Sequence, residues 1–132
     1  MREVFAICDR EEIYAERLAY HLKKKQGIPF DMVVFTDIEK FWKYELENQI
    51  DLLLIHCDMA DETRIGSFEG CAILLSEGEI KSEFLQYPAL YKYQSCDRIF
   101  EEITKIYSEY RSKKGEAEKR EHRLKKNAEL IA

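Results

Sequence analysis

The side chains best placed for chemistry follow an apolar run. Residues 50–58 read I-D-L-L-L-I-H-C-D, and four successive aliphatic residues without helical alternation read as a short strand covered on both faces of a parallel sheet. In an open α/β sheet the crevice lies just beyond the carboxyl ends of the strands, so the residue after Ile55 faces it. That residue is His56, an acid, base or ligand by type, and beside it stands Cys57, a nucleophile by type. Nucleophilic catalysis also needs a third group to orient nucleophile and base, and no residue is placed to do so. An enzyme built on Cys57 or His56 therefore ranks behind a histidine that hydrogen-bonds at the end of a buried strand, with Asp9 or Arg10 nearby. The four cysteines, Cys8, Cys57, Cys71 and Cys96, are widely spaced with no C-x-x-C pair. They read as reduced cytosolic thiols, with Cys8, Cys57 and Cys71 packing as small hydrophobes, and a zinc site as the minor alternative. No G-x-x-x-x-G-K-[ST] occurs, so this chain alone is not expected to bind ATP.

The elements that position these groups alternate. Residues 4–8 form a first buried strand, ended by Asp9, which is also a good N-cap. A helix over 11–25 has an apolar stripe of Ile13, Leu18 and Leu22, and is stopped by Gly27 and Pro29. A second strand spans 30–35. Asp37 then caps a helix through Asn48 that carries Phe41, Trp42 and Leu46, and Ile50 begins the third strand. Residues 59–68 hold one short helical turn at most. Strand four spans 71–75 and is closed by Ser76 and Gly78, a short helix follows over 79–86, and strand five spans 88–93. Ser95 or Asp97 caps a long helix whose inward face is Ile99, Ile103, Ile106 and Tyr110. Repeated β-α units with right-handed crossovers give a doubly wound α/β sandwich, with five parallel strands and helices on both faces.

Composition bounds the function. A chain of 132 residues that is 45% hydrophobic and 12% aromatic fits one globular core. A net charge of -5 argues against nonspecific nucleic-acid binding, which needs a basic surface. With no long apolar run and no signal-peptide pattern over residues 1–10, the chain is expected to be soluble and intracellular. Residues 111–126 hold eight basic residues, Arg111, Lys113, Lys114, Lys119, Arg120, Arg123, Lys125 and Lys126, against Glu116, Glu118 and Glu121. With almost no apolar residue, residues 111–127 read as a solvated linker, with partial helix as the alternative. The apolar turn at 128–132 reads as the strand start of a following domain.

Taken together, I-C-D-R-E closing the first strand, D-L-L-L-I-H the third, L-L-S the fourth and Y-K-Y-Q-S following the fifth resemble the receiver domain of two-component response regulators, over residues 1–110. The resemblance implies a flavodoxin/CheY-like (βα)5 sandwich with strand order 2-1-3-4-5. Receivers place two acids after the first strand, a phosphoacceptor aspartate after the third, a hydroxyl after the fourth and a lysine after the fifth. Asp9, Ser76 and Lys92 match, whereas Arg10 stands at the second acid and His56 at the phosphoacceptor. Phosphoryl transfer of this kind needs a carboxylate nucleophile and Mg²⁺ on oxygen ligands. The expectation is thus no metal and no cofactor, with Lys92 paired to Asp9 and Arg10 forked to Asp9 or Asp58. Asp9 and Ser76 also have plain readings, Asp9 as cap of the first helix and Ser76 as cap of its own loop.

The lost phosphoacceptor, the Y-K-Y-Q-S segment and the charged stretch running into L-K-K-N-A-E-L-I-A look like the amino-terminal pseudo-receiver of TadZ or CpaE-like pilus-assembly ATPases. That resemblance implies a non-enzymatic interaction module, cytoplasmic and at the cell pole, with pilus-assembly or secretion-system proteins or a second copy as partners. It implies neither nucleic-acid binding nor membrane insertion. The alternative is a genuine receiver phosphorylated on an aspartate. In receivers the face around the fifth strand is the usual partner surface; here it offers Phe84, Tyr87, Tyr91 and Tyr93, with Phe100 assigned to the core.

Overall fold

The apolar runs become the strands of one sheet. In the computed structural model, which describes residues 2–25 and 30–131, β1 (Glu3–Cys8), β2 (Phe30–Phe35), β3 (Leu52–His56), β4 (Cys71–Ser76) and β5 (Ala89–Tyr91) are all parallel. Their order is β2-β1-β3-β4-β5, as the receiver resemblance implies. Side chains alternate between the faces of a strand. Phe5, Ile7, Leu52, Leu54, Ile73 and Leu75 therefore join one core, and Ala6, Cys8, Leu53, Ile55 and Leu74 the other. The first core is covered by α1 (Glu12–Lys23) and α4 (Cys96–Ile131), through Leu18, Leu22, Ile99 and Ile103. The second is covered by α2 (Ile38–Glu47) and α3 (Glu62–Ser67), through Phe41 and Ile65. Leu52 to Ile55 are each 0% exposed, so a polar alternate position would have been costly; each such side chain contributes about 1.5–3 kcal/mol by burial.

Caps set most helix starts. Asp37 accepts from the backbone N–H of Glu39 at 2.9 Å and Ser95 from that of Arg98 at 3.2 Å, so Ser95 rather than Asp97 caps α4; Asp97 instead pairs with Lys25. Gly70 leads into β4 where nothing larger fits: a Cβ there would lie 2.5 Å from the carbonyl oxygen of Ile50.

Several expectations need correction. Asp9 does not cap α1; its Oδ1 accepts from Glu11 N at 2.8 Å, and Glu11 occupies the cap position. Ile13 is exposed, and the inward stripe is Ala15, Leu18, Ala19 and Leu22. Gly27 and Pro29 lie outside the described residues. Leu46 faces solvent and Trp42 is half-buried. Residues 57–68 contain two helical pieces, a 3₁₀ turn at Cys57–Met59 and α3. The expected helix over 79–86 is only a 3₁₀ turn, Ser82–Phe84, with Phe84 drawn into the second core and Pro88 disfavouring helical backbone at the residue before it. β5 is shorter than expected, and Lys92 and Tyr93 lie beyond it. Residues 111–127 are helical throughout, and α4 continues through 128–131 where a strand start was expected. These residues are rich in Lys, Arg, Glu and Ala, strong helix formers that need no buried face to continue an existing helix.

Candidate functional site

The carboxyl ends of β1, β3, β4 and β5 bring together Asp9, His56, Ser76 and Lys92, the only buried polar or charged residues among those described. Lys92 is clamped at its backbone. Its N–H donates to the Ser76 carbonyl at 2.7 Å, and its carbonyl accepts from the Tyr14 hydroxyl at 3.1 Å. Its ammonium is 1% exposed and lies 2.9 Å from Asp9 Oδ2 and 3.2 Å from Glu11 Oε2. The rings of Tyr14 and Tyr93 close over it at 4.5 and 5.7 Å to their centroids. Asp9 Oδ2 meets this cation as an ion pair without an aligned hydrogen bond. Burial alone would lower the Lys92 pKa, but close pairing with the carboxylates of Asp9 and Glu11 outweighs it and holds the pKa above the ordinary lysine value.

His56 closes the other half of the pocket. It ends β3, and its Nδ1 accepts from Asp58 N at 3.1 Å, capping the 3₁₀ turn that follows. Its Nε2 lies 3.3 Å from Glu77 Oε2. The other Glu77 oxygen accepts from the Tyr93 hydroxyl. That hydrogen bond, with His56 and Lys92 nearby and against desolvation, holds the Glu77 carboxyl below the usual range, and the same bond raises Tyr93. Glu77 thus ties the end of β3 to the segment after β5. Ser76 serves its own loop: its Oγ accepts from Gly78 N at 2.9 Å, at a turn whose φ of 137° at Gly78 suits glycine.

The expected pairing of Lys92 with Asp9 is present, but Arg10 takes no part. It is exposed and makes no ion pair among the described residues; Asp58 is also exposed, 3.8 Å from His56 Nδ1. Glu11, Tyr14 and Glu77 are functional neighbours that sequence reasoning missed. Glu11 stands two residues after Asp9, and Tyr14 one helical turn beyond it on the same face, so that pair carried a readable signal. Glu77 carried none, since its contacts depend on the loop. Of the four aromatics assigned to a partner surface, Phe84 is a correction: it is 3% exposed and packs in the second core. Tyr91 and Tyr93 are about half exposed, at 49% and 54%, and Tyr87 is half-buried.

Two donor sets could in principle hold a divalent ion, and neither fits. At Asp9 both carboxylate oxygens are engaged, one by Glu11 N and the other by a buried ammonium, and a hard cation would meet charge repulsion there. His56, Asp58 and Glu77 bring ligand atoms within 4.8 Å of one another. The Nδ1 lone pair of His56 is, however, taken by the Asp58 N–H, so in the neutral ring the proton sits on Nε2, facing Glu77. A metal on Nε2 would force that proton onto Nδ1 against another donor, the reverse of the usual arrangement in which the second nitrogen donates. Cys57 is no better as a nucleophile. Its pKa is raised, chiefly by burial and then by Asp58, so little thiolate forms.

The sheet order is that of receivers. The TadZ-like receiver-domain family matches residues 1–108. Similar solved structures include the signal receiver domain of a putative Luxo repressor protein from Vibrio parahaemolyticus, at TM-score 0.71 and 12% identity over 86% of this chain and 96% of that one. The receiver domain of an HD domain-containing protein from Pseudomonas fluorescens Pf-5 superposes at TM-score 0.68 and 17% identity, over 85% and 99%. The Francisella response regulator 1452 receiver domain does so at 0.65 and 16%, over 82% and 98%. No curated protein matches the chain. With the family matched over most of its length and the receiver fold in place, the chain belongs to the TadZ-like receiver domains.

Proposed function

We propose that this chain is a pseudo-receiver: a phosphorylation-independent interaction and localisation module of a Flp pilus (Tad) assembly ATPase, with no catalytic activity and no cofactor of its own. It works in the cytoplasm at the cell pole, where it recruits pilus-assembly or secretion-system proteins. The observation that carries the reading is the closure of Lys92 onto Asp9 at 2.9 Å and Glu11 at 3.2 Å, beside a histidine at the phosphoacceptor position. An imidazole cannot form an acyl phosphate, and a lysine locked between two carboxylates is not free to follow an incoming phosphoryl group. A pocket held in one state leaves recognition to the surface, and no helix among the described residues is long and apolar enough to cross a membrane. The candidate surface is the exposed edge of Leu85, Tyr91 and Tyr93, with Tyr87 beside it.

Incubation with acetyl phosphate and Mg²⁺ followed by intact-mass measurement tests the reading. The mass is expected to stay unchanged. Gain of one phosphoryl group labile to hydroxylamine would instead mark a working receiver.

A further inference from the structure

The distal part of α4 and the recess at its root carry opposite charge. Beyond Tyr110, which still packs on the core, every residue from Ser112 to Ala128 except Gly115 is exposed. The arm's eight basic residues face three acids, and between Lys119 and Lys126 the balance is five to one. Residues 1–110 hold 22 acids against 13 bases. At the amino-terminal ends of the strands, between the root of α4 and the loops before β3 and β4, lies a recess of about 1000 Å³. Six acids line it against Arg111 and Lys114, and four of the acids, Glu45, Glu47, Glu69 and Glu118, are not ion-paired among the described residues. Leu46, 83% exposed, and half-buried Phe68 add apolar surface there.

We propose that this face is a self-association surface, in which the arm of one copy lies antiparallel to that of a second and its basic distal half enters the partner's acidic recess. Tyr110, Ala117 and Leu124 recur every seven residues and so share one stripe of α4. A two-fold axis near Ala117 sets Tyr110 of each copy against Leu124 of the other, an isologous contact. Arg120 and Arg123, near Leu124, then lie opposite Lys114 and Arg111 of the other arm, at the edge of a recess whose six acids outnumber those two bases and include Glu45, Glu47 and Glu69. A parallel pairing would instead set two strongly basic segments side by side, with Lys113 and Arg120 facing their own copies. Insertion into a lipid surface is disfavoured, because basic residues project on all sides of the arm and Leu124 is its one large exposed hydrophobic side chain among those described. The surface is separate from the Asp9 pocket and does not depend on how that pocket works.

Sedimentation velocity of the whole chain across ionic strength tests the pairing. A dimer is expected at about 0.05 M NaCl, shifting toward monomer at about 0.5 M as the Debye length shortens to about 4 Å. Leu124→Glu, and separately the triple change Glu45→Lys, Glu47→Lys, Glu69→Lys, should each weaken it by about tenfold or more. Mixing that triple variant with Arg120→Glu, Arg123→Glu, Lys126→Glu should restore a heterodimer. All changed residues but half-buried Glu45 are exposed, and circular dichroism checks that each variant is folded. A monomer at low salt, a dimer that ignores both sets of changes, or one abolished only by Tyr93→Glu would overturn the proposal.

Discussion

Lys92 is the residue on which the pocket turns. Its side chain is among the largest buried ones, and a buried charge survives only when paired. Lys92→Met should therefore leave Asp9 as an uncompensated buried carboxylate and cost about 3–5 kcal/mol in urea denaturation at neutral pH. Adding Asp9→Asn to that variant should recover much of the loss, and additive losses would contradict the pairing. Because the folded Lys92 pKa is raised, its contribution is fully present below the unfolded lysine value and is lost as pH rises through the folded one. A fall in melting temperature at strongly alkaline pH that is absent in the Lys92→Met, Asp9→Asn pair is the expected sign. The thiols follow the same logic of burial. Cys71, raised to about 11, and Cys57 should react with a disulfide reagent at mildly alkaline pH far more slowly than a free peptide thiol. Fast labelling at Cys57 would reopen a nucleophilic role.

At the scale of elements, the strands were legible because burial on both faces leaves an uninterrupted aliphatic run, as in Leu52 to Ile55. Helix ends were legible where a side chain caps them, as Asp37 and Ser95 do. What escaped was decided by tertiary contact. Nothing local reveals that Ile13 faces water or that Phe84 is buried. The site was half legible: Asp9 and Lys92 could be paired by analogy, whereas Glu77 enters only through the loop after β4. Gly70 offers an element-scale check. Gly70→Ala places a Cβ against the carbonyl oxygens of Ile50 and Asp51, so the start of β4 should shift at a cost of about 1–3 kcal/mol. A thermal midpoint equal to that of the unaltered chain would mean that the loop gives way freely.

For the whole molecule, the receiver fold and the proposed absence of phosphoryl chemistry meet in one arrangement: strand ends built to converge, held together by internal ion pairs. On the proposed function, partner recognition is expected at the aromatic edge. Tyr91→Glu should leave the circular dichroism spectrum and melting temperature within experimental error while weakening capture of pilus-assembly proteins. Unchanged capture would move the interface elsewhere. The most direct test of the closed pocket is an amide NMR titration with Mg²⁺ followed by beryllofluoride, a mimic of the bound phosphoryl group. Resonances of Asp9, His56, Ser76 and Lys92 are expected to stay where they are; saturable shifts at these four positions would show a pocket that still opens to metal and phosphate.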